Sequence, residues 1–183
     1  LRALAFLNVM GYMGDSIRIN WGFWKNNLDI FDIGAHSLTH SRIVTGPATA
    51  IDNSTQRVQY YINKNKGPSS YGLTNQAWRL FDACHETTEQ QNMRIGAEVY
   101  FSKTLIEYNL GISCDYFCYP WGQWDKNLIN KVKQAGYLAS FSVSNTDNSL
   151  FSIPRIDGDT SAQNTLQISI NYPTFIVLRD YSS

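Results

Sequence analysis

The chain has 183 residues, which is enough for one domain with a buried core. Hydrophobic residues make up 43% of it and charged residues 16%, a composition typical of a folded globular protein rather than a disordered one. Its 15 basic and 15 acidic residues cancel, so charge favours neither a nucleic-acid partner nor an anionic membrane surface. No apolar run approaches the roughly 20 residues of a transmembrane helix. Three cysteines are too few for a disulfide framework.

The first predicted elements are a strand, a helix and a second strand. Residues 3–9 are apolar almost throughout and predict a short buried strand. Apolar residues recur at roughly helical spacing over 21–30, and 33–35 predict another strand. The stretch 44–87 is polar and long for a loop in a compact domain, so we expect an insertion or an elaborated loop there.

Helices and strands alternate in the second half of the chain. Thr88 and Gln91 fit a capping box, which predicts a helix that ends near Gly111. Residues 116–119 predict a strand, and Asp125 can cap the next helix. Further strands are predicted at 137–143, 151–156 and 174–178. This alternation predicts a mainly parallel sheet or a β/α barrel, folds in which reactive groups lie at the C-terminal ends of strands.

Two histidines four residues apart directly follow the predicted strand 33–35. If a helix begins after Ala35, His36 and His40 share one face and can share a metal ion. Neutral imidazole is a common ligand of zinc and related metals. Two histidines can also fall on one surface helix by chance, but the position at a strand end strengthens the metal hypothesis. At least one further ligand must come from elsewhere.

The other candidate ligands in the sequence are predicted to lie too far from the histidine pair, or from each other, to complete a metal site. In an extended chain Asp32 would lie roughly 13 Å from His36, so we interpret it as a structural carboxylate. Cys114 and Cys118 are also four apart, but in a strand-like segment that separates them, which weakens a zinc-finger interpretation. His85 stands alone in a polar stretch, where a histidine is usually solvated.

Two further motifs each have a functional and an ordinary interpretation. Residues 117–122 (Phe-Cys-Tyr-Pro-Trp-Gly) predict a strand ending in a tight turn, whose backbone N–H groups could stabilise an oxyanion while Trp121 offers a ring to a sugar. Composition alone favours a plain β-to-α connection here. Arg155 and Asp157 lie near the end of another predicted strand, where a surface ion pair explains them equally well.

Taken together and in order, these motifs resemble the polysaccharide deacetylase family (NodB-homology domain, carbohydrate esterase family 4). Residues 36–40 match its metal-binding motif H-(S/T)-x-x-H. One branch has F-A-Y-P-Y-G, then a helix and A-G-Y, to which 117–122 and 135–137 are similar, and its later P-R-I resembles 154–156. The resemblance covers residues 1–43 and 88–157.

The resemblance implies an α/β fold, a distorted (β/α) barrel, in one domain over 1–183 with 44–87 as the insertion or elaborated loop. It implies a metal-dependent hydrolase that removes N-acetyl groups from an amino-sugar polysaccharide outside the cytoplasm. His36 and His40 would bind a divalent metal, with zinc favoured. The catalytic residues would be Trp121, whose amide stabilises the oxyanion, and Arg155, which holds the carboxylate of the base. The substrate contacts would be Tyr119, Pro120, Trp121 and Trp124.

The chain departs from the family pattern at three points. The family's first motif, F-D-D-G, precedes a strand like 3–9 and supplies the base and the third ligand, yet this sequence has no Asp-Asp pair. We expect the motif upstream of Leu1, which leaves the barrel incomplete at the N-terminus; otherwise the chain is a catalytically inactive carbohydrate-binding member. Cys118 stands where many members have Arg. No histidine follows His85, so the general acid is unassigned. A structural-zinc domain built on Cys114 and Cys118 is the remaining alternative.

Overall fold

The computed structural model describes residues 2–10, 19–47, 69–79, 82–143, 149–157 and 176–179. In chain order the elements are β1 (Ala3–Leu7), α1 (Trp21–Lys25), β2 (Phe31–Ala35), β3 (Arg42–Val44), β4 (Ser69–Tyr71), β5 (Trp78–Arg79), β6 (Cys84–His85), α2 (Thr88–Leu110), β7 (Tyr116–Cys118), a 3₁₀ turn (Pro120–Gly122), α3 (Lys126–Gln134), β8 (Ala139–Ser142), β9 (Ile153–Pro154), β10 (Ile156–Asp157) and β11 (Ile176–Arg179). No helix of the described residues is long and apolar enough to cross a bilayer.

A parallel sheet of seven strands, in the order β10-β11-β1-β2-β7-β8-β9, lies at the centre of the fold. Every neighbouring pair in it is parallel. Ala35 at the end of β2 pairs with Phe117 of β7, so the C-terminal ends of these two strands are adjacent. The prediction of a mixed α/β protein with a parallel sheet is therefore confirmed. Over the described residues β9 and β10 form the two edges, so this part of the sheet is open rather than a closed barrel.

Helix α2 begins one residue earlier than its predicted cap. The N-cap is Thr87, whose side chain accepts from the Gln90 amide, and the Gln90 side chain accepts from the Thr87 amide in return. The assignment to Thr88 and Gln91 was wrong because the sequence Thr-Thr-Glu-Gln-Gln offers two registers for one capping box. The predicted stop is confirmed, since Gly111 adopts the left-handed conformation with φ of 70°.

Helix α3 covers the sheet beside α2. Its predicted cap is confirmed: Asp125 Oδ1 accepts from the Leu128 amide at 2.7 Å. Leu128 and Val132 on its inward face are fully buried. Asn127 donates to Asn92 of α2 at 2.9 Å, which joins the outer faces of the two helices.

The polar stretch 44–87 contains short strands that its sequence did not predict. In its described part, β4 pairs antiparallel with β3, and β5 pairs antiparallel with β6. Arg94 of α2, whose side chain is 8% exposed, fastens this region: its guanidinium binds the carboxylate of buried Glu86 with contacts of 2.5 and 3.1 Å. It also donates to the carbonyls of Gly72 and Asn75. Residues 48–68 lie outside the described part of the chain.

Candidate functional site

His36 directly follows β2 and continues its ladder, since its amide donates to Leu7 O at 2.8 Å. The residue is 7% exposed, and its Nδ1 lies 2.8 Å from the carbonyl oxygen of Cys118 at the end of β7. A carbonyl oxygen can only accept, so Nδ1 carries the hydrogen and donates it. In the neutral ring the lone pair then sits on Nε2. A backbone carbonyl commonly fixes a metal-binding histidine in this tautomer.

His40 reaches His36 through a loop rather than through a helix. Ser37 and His40 both have positive φ, 68° and 50°, and the Ser37 hydroxyl accepts from the His40 amide at 2.9 Å. The predicted helix after Ala35 was therefore wrong, because a side chain-to-backbone bond and left-handed residues replace helical bonding here. The predicted proximity is nevertheless present, with the ring centroids of His36 and His40 4.7 Å apart.

The turn after β7 brings Trp121 onto this histidine pair. The ring centroids of Trp121 and His40 are 4.2 Å apart. Trp121 has φ of 53°, a left-handed conformation that a bulky residue rarely adopts. Gly122 follows with φ of 69°, and a Cβ there would lie 2.2 Å from Val143 Cγ2. The glycine therefore allows the turn to approach Val143, the residue after β8. This path of the turn positions the Trp121 indole beside His40.

The backbone amides of the same turn differ in their hydrogen bonds. The amides of Gly122 and Gln123 donate to Tyr119 O and Pro120 O, at 2.9 and 3.1 Å. No backbone carbonyl of the described residues accepts a hydrogen bond from the Trp121 amide. The expected role of this N–H as an oxyanion donor stays a prediction.

The other predicted substrate contacts lie deeper than Trp121. Tyr119 is fully buried, and its hydroxyl donates to Phe151 O at 3.0 Å. Pro120 is also buried, and Trp124 is half-buried against the core. Of the four predicted contacts, Trp121 is the one whose ring lies against His40.

Arg155 lies beneath the site rather than on the surface. It is 5% exposed, its amide donates to Ser142 O at 2.7 Å, and its Nη1 lies 2.7 Å from Cys118 Sγ. The surface ion pair is therefore wrong for Arg155, and the side chain of Asp157 lies outside the described atoms. Cys118 thus contacts both His36 and Arg155: its carbonyl oxygen accepts a hydrogen bond from His36 Nδ1, and its sulfur accepts one from Arg155 Nη1.

Two residues of the site were not identified from the sequence. Glu98 of α2 accepts three hydrogen bonds from the loop between the histidines. The sequence pattern that could have identified Glu98 is a charged residue on the inward face of the predicted helix, four residues before Ser102. The second residue is Tyr71 of β4, whose ring centroid lies 5.4 Å from that of Trp121. The guanidinium carbon of Arg42 lies 5.4 Å from the centroid of the same Tyr71 ring. Tyr71 had no sequence signal, because it belongs to the stretch without clear periodicity.

The donor set fits one half of a metal site. Among the described residues, no group of three or more His, Cys, Asp or Glu side chains could hold a metal ion. Asp32 pairs with Arg2 at 2.8 Å, and His85 is exposed and packs edge-on against Trp78. Burial raises the pKa of Cys114 to about 12, which keeps the thiol protonated and a poor ligand. His36 and His40 are the two imidazoles that converge.

No family model and no curated protein matches the chain. Several solved structures are similar to it, including the following three. The BpsB deacetylase domain from Bordetella bronchiseptica is 12% identical with a TM-score of 0.55, covering 88% of this chain and 48% of that one. The de-N-acetylase from Aggregatibacter actinomycetemcomitans is 14% identical with a TM-score of 0.55, covering 74% and 47%. The Streptococcus pyogenes deacetylase PplD in complex with acetate is 15% identical with a TM-score of 0.52, covering 91% and 57%.

The chain thus spans about half the length of the first two of these structures. Identities of 12 to 15% establish a common fold and leave the chemistry to be argued from the site. The chain shares the α/β fold, with its central parallel sheet, of these three deacetylase structures.

Proposed function

We propose that the chain is a metal-dependent deacetylase domain that removes N-acetyl groups from an amino-sugar polysaccharide. One observation carries the proposal: the imidazoles of His36 and His40 meet at the C-terminal end of β2, beside the Trp121 turn of β7. The fold shared with three structures described as deacetylases supports it. The same proposal includes a distorted (β/α) barrel of the polysaccharide deacetylase type, incomplete at the N-terminus of this chain, and a location outside the cytoplasm.

His36 and His40 would hold a divalent ion, with zinc favoured by the imidazole donors. When bound, such an ion polarises a carbonyl group and lowers the pKa of a coordinated water. Cys118 O keeps the His36 lone pair on Nε2 by accepting from Nδ1. The proposal requires a third ligand and a carboxylate base from residues outside those described.

Trp121 would contact the substrate in two ways: its backbone N–H would bind the acetyl oxygen, and its ring would pack on the sugar. The Trp121 N–H would donate to the oxygen that becomes negatively charged when the amide is attacked. Its positive φ fixes the direction of this N–H before substrate arrives, which avoids reorganisation during the reaction. The half-buried rings of Trp121 and Tyr71 form an aromatic wall beside His40, which suits the apolar face of a sugar. Arg155 would hold the carboxylate of the base from beneath.

Acetate release and metal content test the proposal together. The protein, loaded with zinc or cobalt, is incubated with β-1,4- and β-1,6-linked N-acetylglucosamine oligomers. We expect acetate from the unmodified protein and none from His36→Ala or His40→Ala, whose metal affinity should fall by more than about 100-fold because a direct ligand is lost. His85→Ala is the matched control, since this exposed histidine lies apart from the pair. Release of acetate that survives both substitutions would refute the proposed site.

A catalytically inactive carbohydrate-binding domain is the second candidate. The absence of a three-ligand metal cluster among the described residues favours it. The same samples separate the two candidates. Oligomers that bind equally well to the unmodified protein and to His36→Ala, with no acetate released by either, would support the binding domain and contradict the enzyme.

A further inference from the structure

Glu98 lies on the inward face of α2 and is only 3% exposed. Its Oε2 accepts from the amides of Leu38 and Thr39, each at 3.0 Å, and its Oε1 accepts from the Thr39 hydroxyl at 2.6 Å. All three donors belong to the short loop between His36 and His40. One buried carboxylate therefore gathers the backbone and a side chain of the segment that joins the two imidazoles.

A buried carboxylate is costly unless hydrogen bonds replace its lost hydration. The loop donors supply that replacement, so the position of Glu98 and the path of the loop determine each other. The loop needs such support, because Ser37 and His40 hold left-handed conformations that are individually unfavourable. Removing the carboxylate would leave two partly buried loop amides without this acceptor.

The two histidines differ in what fixes them. His36 is held by Cys118 O and by its continuation of the β2 ladder, neither of which involves Glu98. His40 follows the segment that Glu98 binds, and its own amide donates to Ser37 Oγ within the same loop. Glu98 therefore bears mainly on the position of His40 relative to His36.

We propose that Glu98 is a positioning residue that fixes the path of the 37–40 loop, and thereby holds the His40 imidazole beside His36 for one metal ion. The metal part of this inference rests on the proposed function. The loop part does not, because it follows from hydrogen bonds that exist without metal.

A comparison of Glu98→Gln with Glu98→Ala separates the effect of the hydrogen bonds to the loop from a general loss of structure. In Glu98→Gln the amide oxygen can still accept from Leu38 and Thr39, while the NH₂ group donates to Thr39 Oγ1. The Thr39 hydroxyl can then donate to Ser41 Oγ, which lies 2.6 Å away. Glu98→Gln should therefore retain the loop, and Glu98→Ala should release it. Glu89→Ala, at an exposed acid in the first turn of α2, is the matched control.

Three measurements on these variants test the proposal. In Glu98→Ala we expect loss of hydrogen-exchange protection at the Leu38 and Thr39 amides. We also expect loss of the ring-current shift that Trp121 imposes on the His40 imidazole, whose ring lies 4.2 Å away. Zinc affinity, measured by chelator competition, should fall about 10- to 100-fold, as for other groups that orient a metal ligand. Glu98→Gln should restore most of all three signals.

The controls keep the outcomes distinct. A folded Glu98→Ala with unchanged amide protection, His40 shift and zinc affinity would overturn the proposal. If Glu98→Ala does not fold, Thr39→Val removes one of the three bonds from the loop side and leaves α2 intact; an unchanged His40 shift in Thr39→Val would then overturn it. If the unmodified protein takes up no more zinc than His36→Ala, the proposed function fails, while the protection and ring-current measurements still decide the role of Glu98.

Discussion

At the scale of single residues, the histidine pair depends on groups that come from three elements. Cys118 O at the end of β7 orients His36, Glu98 of α2 holds the connecting loop, and the Trp121 ring packs on His40. The spacing of the histidines predicted their proximity, but for a reason that proved wrong. A four-residue spacing brings side chains together in a helix, whereas here a left-handed loop does so. The supporting groups are 59 to 82 residues away in sequence, so no local pattern could identify them.

Gly122 offers a direct test of the Trp121 turn. In Gly122→Ala the new Cβ meets Val143 Cγ2 at 2.2 Å and the Val143 amide nitrogen at 2.9 Å, and φ is 69°. We expect a loss of about 2 kcal/mol or more in the free energy of unfolding, since strain at such positions is of order 1–3 kcal/mol before any steric contact. Oligomer binding should weaken as well, because the indole must move with the turn. Urea unfolding and calorimetric binding measure the two effects.

Gly96→Ala is the matched control for that substitution. Gly96 lies in the interior of α2, and a Cβ there has no atom within 4 Å. Alanine should stabilise the protein by roughly 0.5–1 kcal/mol, because glycine is the poorer helix former. Equal free energies of unfolding for the two variants would mean that the turn carries no strain.

At the scale of elements, α2 organises the site from behind. Arg94 and Glu98 are four residues apart and so lie on one face of the helix. Arg94 binds Glu86 and the carbonyls of Gly72 and Asn75, while Glu98 binds the loop between the histidines. The helix thereby fixes both the region that carries Tyr71 and the loop that carries His40.

Arg94→Ala should be strongly destabilising. It leaves the Glu86 carboxylate buried without its cation, a change that typically costs about 3–5 kcal/mol in the free energy of unfolding. Loss of the bonds to Gly72 and Asn75 should also loosen β4. Under the proposed function, KM for an oligomer should then rise more than kcat falls. Arg2→Ala breaks the exposed pair with Asp32 and should cost at most about 1 kcal/mol. Similar losses in Arg94→Ala and Arg2→Ala, by denaturant unfolding, would contradict this role for Arg94.

The elements differ in how far their sequences determined them. Helix α3 was predicted from Asp125 because cap, apolar face and stop all occur within one short segment. Helix α2 was predicted with its cap one residue late, because two threonines precede two glutamines. Strands β3 to β6 were not predicted, because strands of two or three residues carry too little periodicity and depend on partners such as Arg94.

At the scale of the whole molecule, the order of the strands creates the site. The alternation of helices and strands predicted a parallel sheet, but it contained no information on which strands are neighbours. In the structure β2 lies beside β7, so the loop after residue 35 and the turn after residue 118 open at the same edge. Two motifs that are about 80 residues apart in sequence thereby form one site.

The core behind this edge predicts that the protein is sensitive to alkali. Burial raises the pKa of the fully buried Cys114 to about 12, from 9.0 for a free thiol. Burial also raises the pKa of Tyr137 well above 10.0, and its hydroxyl donates to Val99 O at 3.1 Å. Both groups are neutral in the fold. Because their folded pKa values exceed the unfolded ones, their contribution to stability is fully present below about pH 9 and is lost as the pH rises toward the folded values.

We therefore expect that these two groups change the free energy of unfolding little up to about pH 9, and that they lower it at higher pH. The Cys114 thiol alone should account for about 1.4 kcal/mol per pH unit between 9 and 12, because the unfolded chain releases its proton there and the folded chain does not. Urea midpoints from pH 7 to 11 measure this slope. Cys114→Ala should make the slope shallower, and Cys84→Ala, at a half-buried thiol, is the matched control. An identical slope in both variants would show that the buried thiol is not a source of alkaline instability.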